Sequence, residues 1–84
     1  METEYDQLLK VMFVDDEEKT RKLLRVFVDW QSIGYQPVGD AASANQAMEL
    51  IGEEHPDVVI TDIEMPYING LEFAQMLSEE YPQI

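Results

Sequence analysis

Two short, unbroken apolar runs constrain this chain most: Val11–Val14 (Val-Met-Phe-Val, after one lysine) and Val58–Ile60 (Val-Val-Ile). Continuous apolar runs of this length read as strands covered on both faces. Each run ends in acid. Asp15-Asp16-Glu17-Glu18 follows the first, and Asp62 follows the second after Thr61. A carboxylate at the end of a buried strand is costly to desolvate unless something offsets its charge. Asp62 is therefore a candidate site residue on these grounds alone. A Pro- and Gly-punctuated loop, Met65-Pro66-Tyr67-Ile68-Asn69-Gly70, comes directly after it.

Between and beyond the runs the pattern is helical. Residues 1–9 read as a loose polar arm. From Glu17 to about Trp30, Leu23, Leu24, Phe27 and Val28 recur at helical spacing, with Lys19, Arg21, Lys22 and Arg25 facing elsewhere. Asp16 is the expected N-cap, acids lead the helix, and Gly34 is its expected stop. Tyr35–Gly39 reads as a weaker strand. Its Pro37 cannot donate to a ladder, which puts it at a sheet edge. Ser43 with Gln46 has the form of a capping box. A helix with a stripe of Ala44, Ala47, Met48 and Ile51 follows and ends near Glu53 or Glu54. The third strand is expected over 57–61. A third helix, marked by Leu71, Phe73, Ala74 and Leu77, is expected over 70–80, with Pro82 stopping it. Strand, helix, strand, helix, strand, helix with short connections is an α/β pattern with a parallel sheet and right-handed crossovers. The 84 residues read as one domain without a linker.

In such a sheet, ligands bind at the carboxyl ends of the strands, at a topological switch point. Asp15 and Asp16 close strand one and Asp62 closes strand three, so neighbouring strands would bring three carboxylates together. Like charges packed together repel, and a divalent cation relieves this. An all-oxygen set with few protein ligands suits Mg²⁺, and Mn²⁺ similarly. A carboxylate beside a metal can attack a phosphoryl group. The constellation thus supports Asp62 as nucleophile with Asp15 and Asp16 holding the metal. The net charge of −13 agrees with a cation or a basic partner patch, and argues against nucleic-acid phosphates or an anionic membrane. No apolar run approaches the roughly 18 residues of a membrane span. There is no cysteine and no signal-peptide pattern, so the expected location is the cytoplasm.

The Asp15-Asp16 pair after an apolar strand, and Asp62 followed at fixed spacing by Met65-Pro66 and Gly70, resemble the receiver domain of two-component response regulators. The resemblance covers residues 10–82. It implies a flavodoxin-like α/β fold, the strand order 2-1-3 for the three βα units present, and a phosphoryl group accepted on Asp62 from a sensor histidine kinase. It also implies Mg²⁺ held by Asp16 directly, by Asp15 more often through water, by Asp62, and by the backbone carbonyl of Glu64. Residues 29–35 further resemble receivers attached to AraC-type DNA-binding domains, which implies an output in transcription.

The family's pattern has five βα units in the order 2-1-3-4-5, and this sequence matches the first three. The expectation is therefore a partial receiver over residues 1–84, with the Ser or Thr of strand four and the Lys of strand five absent. Phosphorylation of this chain alone would then be impaired. The outer edge of strand three, residues 57–61, would be unpaired and would template a homodimer. Other readings remain. Taken singly, these acids are helix caps and solvated loop residues. The chain could act as an interaction module independent of phosphorylation. A metal-dependent phosphohydrolase of the haloacid-dehalogenase type also uses a strand-end Asp. It wants a second Asp two residues on, where this sequence has Glu64. The receiver reading makes the chain a signalling module rather than an enzyme. His55 reads as a surface residue, Trp30 and Tyr35 as packing at the helix end, and Met12, Met48 and Met76 as core or helix-face filler.

Overall fold

The computed structural model describes residues 8–84; all but the last two residues of the expected polar arm lie outside them. Strand β1 (Leu9–Val14) leads to helix α1 (Glu18–Phe27), a 3₁₀ turn (Gln31–Ile33) and strand β2 (Tyr35–Ala41). Helix α2 (Ala44–Glu54), strand β3 (Val58–Thr61) and helix α3 (Gly70–Glu80) follow. The sheet is parallel with the order β2-β1-β3. This is the flavodoxin-like α/β arrangement expected for three βα units.

The alternation of side chains along β1 divides the interior into two layers. Met12 and Val14 pack with Ala41, Ala44, Ala47, Ile51, Met65, Phe73 and Leu77, on the side covered by α2 and α3. Val11 and Phe13 pack with Trp30, Leu24, Val28, Tyr35 and Val58, on the side of α1. Right-handed crossovers require this split. The chain moves from β1 to β2 in one direction and from β2 past β1 to β3 in the other, so α1 and α2 land on opposite faces. Phe13, Phe73, Met12 and Ile51 are the largest fully buried side chains. Each contributes on the order of 1.5–3 kcal/mol by leaving water.

Several expectations need correction. Helix α1 ends at Phe27, three residues early. Val28 is extended, and the Trp30 ring folds back so that its Nε1 donates to the Leu24 carbonyl at 2.8 Å. That bond satisfies a carbonyl which the helix end leaves free. Trp30 also packs on Phe13, with ring centroids 5.0 Å apart. Gly34, at φ 92°, ends the 3₁₀ turn instead of α1. The buried face of α1 is also narrower than expected: Leu24 and Val28 pack inward, whereas Leu23 and Phe27 are 52% and 77% exposed. Asp16 is not the N-cap. Glu17 occupies that position without a side-chain bond.

Strand β2 is the expected edge and runs two residues further, to Ala41. Its register slips between Val11 and Met12 because Val38 bulges out beside Pro37. Ser43 does cap α2, accepting from the Gln46 N–H at 3.2 Å, but Gln46 returns its bond to Ala42 N–H. Strand β3 begins one residue late. Asp57 instead clasps Lys10: its N–H donates to the Lys10 carbonyl and its Oδ2 accepts from the Lys10 N–H at 2.7 Å. Ile60 is 41% exposed rather than buried. Helix α3 keeps its expected bounds, although Leu71 and Ala74 face outward and only Phe73 and Leu77 of its stripe are buried.

Candidate functional site

The carboxyl ends of all three strands are tied at one level. The Asp15 N–H donates to the Ala41 carbonyl of β2 at 3.0 Å, and the Asp62 N–H donates to the Val14 carbonyl of β1 at 2.9 Å. The two acids therefore sit on adjacent strands at the point where the chain reverses its direction of winding. One carboxylate oxygen from each of Asp15, Asp16 and Asp62 lies within 4.8 Å of the others. These are the three residues that the sequence marks.

Local turns set how each acid is presented. Asp15 Oδ1 accepts the Glu17 N–H at 2.9 Å, a side-chain-to-backbone turn that starts α1. Asp62 Oδ1 accepts the Glu64 N–H at 3.2 Å in the same way. Asp16 makes neither bond. It is exposed and lines an open depression with Glu17, Thr61, Asp62, Ile63 and Glu64. Asp15 is half-buried and does not line that depression, although its carboxylate belongs to the cluster. Glu64 is exposed at the rim, and its N–H engages Asp62.

The loop after Asp62 is held by Gly70 and Asn69. The Gly70 N–H donates to the Ile63 carbonyl at 2.8 Å. A Cβ on Gly70 would overlap the Asp62 carbonyl oxygen and lie 2.8 Å from Ile63 Cα. Glycine is thus required by space, with no positive φ involved. Asn69 caps α3 and forms a full capping box with Glu72, at 2.8 and 3.0 Å. Met65 is buried in the layer beneath α2 and α3 and anchors the middle of the loop. At Tyr67, fully exposed with φ 70°, the chain makes a tight turn closed by an Ile68 N–H bond to the Pro66 carbonyl.

A second layer of charge was not visible in the sequence pattern. Arg21, expected to face outward, turns inward, and its Nη1 donates to the Asp15 carbonyl at 2.7 Å. Its Nε lies 3.4 Å from Asp40 Oδ1, and Arg25 Nη1 lies 2.8 Å from Asp40 Oδ2. The side chains of Arg21 and Asp40 are only 15% and 18% exposed. The one available signal was Asp40 itself, an acid inside a strand with an arginine-bearing helix next to it.

An all-oxygen set of three carboxylates within reach of a single ion fits a hard divalent cation such as Mg²⁺ or Mn²⁺. The same set disfavours an incoming anion until that charge is neutralised. Among the described residues, no helix is long and apolar enough to cross a membrane.

Comparison with known proteins agrees with this geometry. The sequence model of the response regulator receiver domain matches residues 11–84. The chain is 40% identical over 74 residues to the transcriptional regulatory protein BtsR of Escherichia coli K12, covering 88% of this chain and 30% of that protein. It superposes on the REC domain of AraT, a response regulator from Geobacillus stearothermophilus, with a TM-score of 0.81 at 30% identity. That match covers 90% of this chain and 59% of the other. A two-component transcriptional regulator AraC from Clostridium phytofermentans gives the same TM-score at 28% identity, over 88% of this chain and 57% of the other. The chain thus spans about a third of the length of its curated relative. The strand order, the acids at the strand ends and these matches lead to one assignment: the chain belongs to the response regulator receiver domain family of two-component signalling.

Proposed function

We propose that Asp62 is the phosphoacceptor of this receiver and that a sensor histidine kinase is the donor. What carries the reading is the convergence of Asp15, Asp16 and Asp62 at the ends of adjacent strands. An Asp62 carboxylate oxygen attacks phosphorus. The new O–P bond forms as the N–P bond of the phosphohistidine breaks, and the leaving imidazole recovers a proton from solvent. Asp15, Asp16, Asp62 and the backbone carbonyl of Glu64 would hold Mg²⁺, or Mn²⁺ in its place. When bound, the ion neutralises the carboxylates and the transferring phosphoryl oxygens.

The chain's own residues position the reaction. The Glu64 N–H fixes one Asp62 oxygen and leaves the other for attack, and the Asp15 turn keeps its carboxylate beside Asp16. The role is acceptance of one phosphoryl group, not turnover of a substrate, and the output it serves is transcription. The acidic surface of the chain favours a protein donor over direct nucleic-acid contact, and the absence of cysteine suits the cytoplasm. The outer edge of β3 has no strand partner among the described residues, which supports a homodimer of this 84-residue chain through residues 57–61.

Incubation with acetyl phosphate and Mg²⁺, followed by intact-mass measurement, tests the reading. One added phosphoryl group, lost with Asp62→Ala and with chelation, supports it. Catalytic hydrolysis without a stable adduct favours a phosphohydrolase, and no reaction favours an interaction module.

A further inference from the structure

The Arg21 guanidinium joins the cation cluster to the sheet edge, and nothing in the phosphoacceptor reading requires it. Its Nη1 makes a directed 2.7 Å bond to the Asp15 carbonyl. Its Nε sits 3.4 Å from Asp40 Oδ1, and Arg25 holds the other Asp40 oxygen at 2.8 Å. The two contacts to Asp40 lack hydrogen-bonding angles and act through charge, whereas the contact to Asp15 is a true donor–acceptor bond. A planar fork can serve a carbonyl and a carboxylate at once; a lysine ammonium cannot do so with the same geometry.

We infer that Arg21 is a positioning residue of the cation site, held by Asp40 on β2 and acting through the Asp15 carbonyl. The inference rests on the reading of Asp15, Asp16 and Asp62 as a Mg²⁺ site. Asp15 has three other constraints: its N–H to the Ala41 carbonyl, its Oδ1 to the Glu17 N–H, and the start of α1 just beyond it. Its carbonyl is the link to Asp16, whose side chain makes no bond that would orient it. Fixing that peptide from Arg21 therefore fixes where the Asp16 carboxylate points. Groups outside a metal's direct ligands that orient those ligands typically change affinity by about 10–100-fold when removed.

The sign of the effect separates positioning from simple charge. Arg21 is a cation near a cation site. If it acted only through its charge, its removal would tighten Mg²⁺ binding. Positioning predicts the reverse.

Mg²⁺ titration by calorimetry, with Mn²⁺ binding by electron paramagnetic resonance as a second readout, tests this on the whole chain. Arg21→Ala and Arg21→Gln should each weaken binding by about tenfold, the low end of the range for such residues. Lys22→Ala, which removes the same charge from the exposed side of the same helix, should leave binding unchanged. If Arg21→Ala does not fold, Arg21→Gln decides. Unchanged or tighter binding in a folded Arg21 variant overturns the inference, and so does the unfolding of both variants, which would make the role one of stability. If the parent chain binds no Mg²⁺, or Asp16→Asn does not weaken binding, the cation-site reading fails and takes the inference with it. If Asp16→Asn weakens binding and the Arg21 variants do not, only the positioning role is refuted.

Discussion

Replacing Gly70 with alanine tests how closely the fold and the site share their parts. The added Cβ would overlap the Asp62 carbonyl oxygen and lie 2.8 Å from Ile63 Cα. Both are backbone atoms, so no flexible side chain can swing aside. Overpacking of this kind costs about 1–3 kcal/mol. Opposing it, Gly→Ala restricts the unfolded chain and favours the native state by about 0.4–1 kcal/mol. The net expectation is a loss of about 1–2 kcal/mol. For a domain of this size 1 kcal/mol corresponds to roughly 4–8 °C in Tm, so thermal unfolding followed by circular dichroism should show a drop on the order of 10 °C. The backbone that must yield carries Asp62, so phosphorylation by acetyl phosphate should slow as well, even well below the new Tm. A Tm equal to or above that of the parent would refute the reasoning, because the loop would have absorbed the methyl group without cost. A lowered Tm with full phosphorylation would separate Gly70 from the site.

Other substitutions probe single links. Phe73→Ala removes a fully buried ring and should cost about 3–5 kcal/mol. A chain of 84 residues has on the order of 4–13 kcal/mol in total, so the midpoint of a denaturant titration at 25 °C should fall by a large fraction. Asn69→Ala breaks the capping box of α3 and should cost about 1 kcal/mol, read as a modest fall in Tm with Mg²⁺ affinity unchanged. Ile60→Lys places a charge on the outer strand, where Ile60 is already 41% exposed. Sedimentation should show the parent chain dimeric at low micromolar concentration and this variant monomeric, whereas a monomeric parent would remove the β3-edge dimer.

The strand order followed from the receiver resemblance, whereas the sequence itself carried the bounds of α3 and the three acids of the cluster. It did so because the signals are local: apolar runs of strand length, Gly70 and Pro82 bracketing a helix, and acids directly after strands. The buried face of α1 was not legible. That helix has two apolar stripes, Leu24 with Val28, and Leu23 with Val26 and Phe27. Periodicity alone cannot say which one meets Phe13. Trp30 makes the selection by folding back onto Leu24, a contact between residues outside any single periodic pattern. The inward turn of Arg21 is hidden in the sequence for a related reason. A charged residue on a helix defaults to solvent in a pattern reading, and only the pairing of β2 with β1 brings Asp40 to meet it. The Asn69–Glu72 capping box, by contrast, is readable from its three-residue spacing directly before the α3 stripe.

The central claim is that one carboxylate, Asp62, takes the phosphoryl group while Asp15 and Asp16 serve the cation. Borohydride reduces an acyl phosphate to the alcohol, which turns a phosphorylated aspartate into homoserine. After treatment with acetyl phosphate and Mg²⁺, reduction and peptide sequencing by mass spectrometry should place homoserine at position 62 and nowhere else. Homoserine at position 15 or 16, or its absence from position 62 in a folded, Mg²⁺-loaded chain, would contradict the account.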